Sequence, residues 1–281
     1  MLYATANTIE RDGYVFVDGE YFIQNFYEQT KEWFNGEIDI DFNHLIDTSS
    51  NKRLFYYDCE DPEQRPGEDE GTFQARVGAK KRIHNAIKFA SFCHLRLGRL
   101  KGEGRRKRRQ KGVDVFLAVD AMEQAARGHM KRATIITGDG DFEPLVQSLV
   151  DLGIYVTVRA AKNTCSDTLI SSADCFHELD FGTFTQFATT ELSEKYPIPH
   201  IDSVGVVPRD KPVLRRGICG EWEMYHVNED DRYCSIFLQR ENEVQRVYGR
   251  IGIPVDRLEL LIKIRYGSLS WHTTDATAVT V

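Results

Sequence analysis

Between residues 14 and 180 short apolar runs alternate with helical patterns, which confines the chain to a parallel α/β sheet with helices on both faces. Tyr14–Asp18 (YVFVD) is a β-branched and aromatic run that stops at Asp18-Gly19. Phe22, Ile23, Phe26, Tyr27, Trp33 and Phe34 then recur at helical spacing, which predicts strand–turn–helix in preference to a hairpin. Arg53–Cys59 reads as a second strand, Gly71–Ala90 as a helix and Phe92–Leu97 as a third strand. Val113–Ala126, rich in good helix formers and followed by Gly128, is a helix. Ala133–Thr137 is a fourth strand, Phe142–Leu152 a helix closed by Gly153, and Ile154–Val158 a fifth strand. Phe176–Asp180 is expected at the sheet edge.

The rhythm is lost after residue 182. Residues 183–212, with Pro197, Pro199, Pro208 and Pro212, read as a linker or extended arm. Residues 213–281 form a small β-rich or α+β unit, with strands or one helix expected in Ile218–His226, Tyr233–Gln239 and Leu258–Tyr266.

A net charge of -7 argues against a protein that coats nucleic acid indiscriminately, yet charge is sorted along the chain. Asp58–Glu70 (DCEDPEQRPGEDE) is acidic, whereas Arg96–Lys111 (RLGRLKGEGRRKRRQK) holds nine basic residues against Glu103 alone. A run of this kind is a solvated loop or a phosphate-binding one. The six cysteines are scattered without a C-x-x-C pair, so neither a disulfide framework nor a structural zinc is indicated. No apolar stretch is long enough to span a membrane, and Met1–Gly13 lacks the basic and apolar regions of a secretion signal, which predicts a cytoplasmic protein.

In an open parallel sheet, ligands bind outside the carboxyl ends of the strands. Acids fall there. Asp18 ends the first strand, Asp139 follows the fourth, Asp141 begins the next helix, and Asp114 opens the helix after the basic run. Carboxylates crowded together repel, so a cluster of four implies a bound cation, and oxygen-only donors point to Mg²⁺ or Mn²⁺. Each acid also has a local reading: Asp141 as a helix N-cap, Asp114 as a first-turn acid favoured by the helix dipole, Asp18 as a strand terminator. Asp120 lies about 120° around its helix from Asp114 and is set aside. Lys111 and Asp174 are secondary candidates.

The pieces VFVDGEYF (Val15–Phe22), KGVDVFLAVDAM (Lys111–Met122), ITGDGDFEPLV (Ile136–Val146) and, less closely, TLISSADCFHELD (Thr168–Asp180) resemble the NYN (LabA-like) subgroup of PIN-like nucleases in order and spacing. The resemblance covers about residues 13–181 and implies a PIN-like sheet carrying an Mg²⁺- or Mn²⁺-dependent endoribonuclease site at Asp18, Asp114, Asp139 and Asp141. One departure is Tyr21, where many members carry Asn, so no catalytic part is carried over to that position. Nothing after Ser193 resembles a known companion domain.

Beside such a site, Arg105, Arg106, Lys107, Arg108, Arg109 and Lys111 are placed to hold the RNA backbone without reading its sequence. A DNA substrate and a non-catalytic RNA-binding or regulatory role are the competing readings. The C-terminal unit is assigned to substrate recognition, self-association to a homo-oligomer, or a protein partner. Its Trp222 and Trp271 suit base stacking or, as aromatic residues in small domains usually do, a core.

Overall fold

The computed structural model describes residues 11–47, 49–60, 63–101, 109–228, 233–250 and 252–272. The chain divides into two compact units between Thr189 and Thr190.

In the first unit, Tyr14, Val15, Phe16 and Val17 are all at most 2% exposed, because strand β1 (Gly13–Asp18) lies mid-sheet with both faces covered. The chain continues through α1 (Gly19–Thr30), α2 (Phe42–Ile46), β2 (Asn51–Cys59), α3 (Glu70–Phe89), β3 (Cys93–Lys101), β4 (Arg109–Lys111) and α4 (Val113–Ala126). It then forms β5 (Arg132–Ile136), α5 (Glu143–Asp151), β6 (Tyr155–Ala160), α6 (Asp167–Ser172), β7 (Cys175–Glu178) and α7 (Phe181–Gln186). The strand order is β4-β3-β2-β1-β5-β6-β7, with six parallel strands and β4 antiparallel at the edge. The order reverses at β1, which pairs with β2 on one side and β5 on the other, so the crevice between β1 and β5 is where such a sheet receives a ligand.

Alternate residues of β1 and β2 feed two cores. Tyr14, Phe16, Phe55 and Tyr57 join Leu117 of α4 and Val146 and Leu149 of α5. On the opposite face Phe42 meets the Tyr56 ring edge-on at 5.6 Å, and Phe22 and Phe26 gather around Phe184 at 5.8 and 5.9 Å. Trp33 and Phe34, expected on the first helix, lie beyond its end at Thr30, yet both are fully buried, and Trp33 packs against Phe181. Burial, not helical continuity, set their spacing.

Two expectations need correction. The basic run is not a plain loop: β3 extends to Lys101 and pairs with β4 through Arg99–Lys111, Leu100–Gln110 and Lys101–Arg109. An edge ribbon is held by backbone hydrogen bonds and needs no apolar alternation, so composition gives no sign of it. Arg105, Arg106, Lys107 and Arg108 lie outside the described residues. Nor is 183–212 featureless. It holds the last part of α7, then α8 (Thr190–Lys195) and β8 (His200–Val204), with the prolines falling between elements.

The second unit completes itself with β9 (Val213–Cys219), β10 (Trp222–Asn228), β11 (Tyr233–Arg240), β12 (Glu243–Arg250), α9 (Val255–Tyr266) and β13 (Leu269–Trp271). Its six strands are antiparallel in the order β13-β9-β10-β11-β12-β8. Ile218–His226 thus bridges two strands through a turn at Gly220, whose φ of 56° is left-handed. Leu258, Leu261 and Ile262 of α9 are buried. Trp222 is buried with the Tyr266 ring edge-on at 5.5 Å and the Arg240 guanidinium over it, and Trp271 lies under Arg215 at 4.3 Å. Both tryptophans are used within the unit. No helix among the described residues is long and apolar enough to cross a membrane.

Candidate active site

Asp18 is the last residue of β1 and the N-cap of α1, so one carboxylate oxygen accepts the Tyr21 N–H at 3.2 Å. The other oxygen accepts the Thr137 hydroxyl at 3.0 Å. That hydroxyl also accepts the Asp139 N–H at 3.3 Å. A single side chain just past β5 therefore ties the acid at the end of β1 to the backbone of the acid after β5.

Asp139 caps a 3-10 turn at Gly140–Phe142, accepting the Asp141 N–H at 2.9 Å. Asp141 does not cap α5, whose N-cap is Phe142 without a side-chain cap hydrogen bond, and the Asp141 residue is exposed inside the 3-10 turn. Asp114 stands in the first turn of α4 behind Gly112, where its local reading as a dipole-favoured acid also holds.

Electrostatics couples the four. Burial is the main cause that pushes Asp18 up to about 6, against the Tyr21 and Thr137 hydrogen bonds, with the Asp114 and Glu20 charges adding to it. Asp114 is raised by burial and then by the charges of Asp139 and Asp141. All four acids thus belong to one electrostatic neighbourhood at the carboxyl edge of the sheet. Among the described residues, however, no three His, Cys, Asp or Glu side chains are grouped closely enough to ligate one metal ion between them.

The turn that carries Asp139 and Asp141 is clamped. A Cβ on Gly138 would come within 2.2 Å of the Thr164 carbonyl oxygen and 2.7 Å of the Tyr21 ring. Ser166 N–H donates to the Gly138 carbonyl at 3.0 Å. The Tyr21 hydroxyl accepts the Ala161 N–H at 3.0 Å and lies 2.9 Å from the Thr164 hydroxyl, which in turn donates to Asn25. Tyr21 therefore positions the segment after β6 against the Gly138 turn, a part invisible in its departure from the family pattern. Tyr21→Phe leaves the Ala161 amide without this acceptor and is expected to cost about 1–2 kcal/mol in denaturant unfolding and to speed exchange of that amide. Unchanged stability and exchange would remove the hydroxyl from this role.

The secondary candidates fall elsewhere. Asp120 accepts from the Tyr57 hydroxyl at 2.9 Å and from Arg96 at 3.1 Å, and Asp174 accepts the Val156 N–H at 2.7 Å, so each already serves the scaffold. Sequence reading missed a cluster at the end of β2, in which Asp58 and His84 are buried and Lys80 is partly exposed. Asp58, near the end of β2, holds Lys80 at 2.9 Å and His84 at 2.8 Å. Burial pushes the Asp58 carboxyl up, but the His84 hydrogen bond and the Lys80 charge prevail and hold it below its usual value. The available signal was Lys80 and His84 at a four-residue spacing on one face of α3.

Between α4 and α5 an open groove of about 380 Å³ begins at Asp114 and Asp141 and continues along apolar side chains. The basic β3–β4 ribbon leads through Gly112 directly into α4.

No curated protein compared with the chain matches it. It is similar to the crystal structure of a protein of unknown function from Vibrio parahaemolyticus, at 21% identity over 62% of this chain and 96% of that one, with a TM-score of 0.44. The family model for the NYN domain matches residues 14–180, more than half of the sequence and the whole run from β1 past β7. The chain therefore belongs to the NYN domain family, which is part of the PIN-like nucleases.

Proposed function

We propose that the protein is a divalent-metal-dependent endoribonuclease whose site is formed by Asp18, Asp114, Asp139 and Asp141. The observation that carries this reading is the Thr137 hydroxyl, which links Asp18 on β1 to Asp139 beyond β5 and so ties together two of the family's motif acids from distant parts of the chain.

The donor chemistry fits Mg²⁺ or Mn²⁺. The donors are carboxylates only, and Asp18 is under enough burial and like charge to sit at about 6, a cost that a cation would offset. A site without three closely grouped carboxylates also suits Mg²⁺, which keeps several waters and takes one or two carboxylates together with substrate phosphate. Such an ion, when bound, supplies an activated water and offsets charge developing on the phosphate. Asp18 and Asp139 are the anchoring carboxylates, oriented by Thr137 and by their own capping bonds. Asp114 and Asp141 keep the other side of the site negative.

The basic run supplies the complementary charge for the RNA backbone through Arg105, Arg106, Lys107, Arg108, Arg109 and Lys111. Changing Arg105, Arg106, Arg108 and Arg109 to Glu is expected to weaken RNA binding at low salt and to flatten its dependence on salt, read by fluorescence anisotropy. Affinity and slope equal to wild type would take the basic run out of substrate binding.

The test of the function itself incubates labelled RNA and DNA with wild type, Asp18→Asn and Asp139→Asn in Mn²⁺, Mg²⁺ or EDTA. RNA cleavage that needs the cation and is lost in both variants supports the reading. Cleavage of DNA alone changes the substrate, and identical background in all three proteins supports a binding role instead.

A further inference from the structure

We infer that the groove between α4 and α5 receives one nucleobase of the bound strand, and that it favours a base carrying an exocyclic amino group. The inference rests on the endoribonuclease reading for the identity of the polymer, but its own basis is the groove. Ala118 and Met122 from α4, Phe142 from the 3-10 turn and Leu145 from α5 line it, with Asp114 and Asp141 at one end.

Three observations select the occupant. At about 380 Å³ the groove lies at the small end of ligand pockets and takes a body of nucleoside size. Among the described residues no lysine, arginine or histidine lines it, so they offer a phosphate nothing, while its walls suit a flat apolar ring. It is also continuous with the carboxylates, since Asp114 and Asp141 belong to both. A strand whose phosphate is held at that edge carries its next apolar group, the base, toward the groove.

The rim sets the preference. Ionised carboxylates only accept hydrogen bonds. The amino groups of adenine, cytosine and guanine donate, whereas the corresponding position of uracil is a carbonyl that would face two acids. A hydrogen bond from an amino group to a carboxylate, made by one base and not by the other, corresponds to about tenfold in affinity. The preference is therefore measurable.

The experiment measures anisotropy of labelled short oligoadenylate and oligouridylate in Ca²⁺, with cleavage of the same oligomers followed in Mn²⁺. Wild type is expected to bind oligoadenylate about tenfold more tightly. Met122→Trp on α4 and Ser148→Trp on α5 each narrow the groove about two helical turns from Asp114 and Asp141, and both are expected to bring the two affinities together by weakening oligoadenylate alone. Two variants on opposite walls guard against misfolding of either one. Equal affinities in wild type, or a preference kept in both filled variants, would overturn the inference. Cleavage without base preference would overturn the groove and leave the nuclease, whereas base preference in binding without cleavage of any RNA would overturn the nuclease and leave the groove.

Discussion

Asp18→Asn is expected to abolish cleavage and at the same time to make the protein more stable at neutral pH. Burial and the neighbouring Asp114 and Glu20 charges raise the folded-state pKa of Asp18 to about 6, above the ordinary carboxylate value of about 3.9. The folded protein thus holds this proton more tightly than the unfolded chain, and stability attributable to Asp18 falls as pH rises from about 4 to about 6. Asn keeps an oxygen for the Tyr21 N–H and a polar group for Thr137 but never ionises. At pH 7.5 the variant should gain about 1–3 kcal/mol in denaturant unfolding, and below about pH 4 the difference should vanish. A variant less stable than wild type at pH 7.5, or a gain that persists in acid, would contradict this account. The same result would show why the acid is retained at a cost: a site prepared for a cation is strained without one.

The second large effect is expected at Gly138→Ala. Its methyl group would meet the Thr164 carbonyl oxygen at 2.2 Å, and that segment is held by the Ser166 bond to the Gly138 carbonyl and by the Tyr21 contacts to Ala161 and Thr164. Backbone has to move, and the turn that moves carries Asp139 and Asp141. The expected outcome is a loss of about 1–3 kcal/mol in stability, as for other overpacked sites. Cleavage should fall about a hundredfold, the usual consequence of a misplacement near 1 Å. Gly78→Ala is the control: on α3 its Cβ would find only the end of Arg82, at 3.7 Å, and a helix gains slightly from alanine. Full activity and stability in Gly138→Ala would mean that the clamp does not set the site.

What could be read in advance was what repeats locally. The β1 run Tyr14–Asp18 and the α4 bounds Val113–Ala126 match the folded elements to within a residue, because buried parallel strands and Ala-rich helices leave dense periodic signals. The ends of those elements placed Asp18, Asp114, Asp139 and Asp141 on one edge. What could not be read were pairings made across long stretches of chain. Thr137 and Asp18 are 119 residues apart, Tyr21 and Thr164 143, and neither pair leaves a local pattern. Tyr21 looked like a defect because its departure from Asn was visible and its partner was not. The β3–β4 ribbon and β8 escaped for another reason: edge strands need little apolar alternation, and prolines around β8 suggested a linker where they flank structure.

The central claim is that Asp18 and Asp139 anchor a divalent cation at this site, and a calorimetric Mn²⁺ titration of the metal-free protein tests it without reference to RNA. Wild type is predicted to bind Mn²⁺ and to unfold at higher temperature in its presence, while Asp18→Asn and Asp139→Asn lose both responses. Mn²⁺ binding of equal strength in all three proteins, or none in wild type, would contradict it.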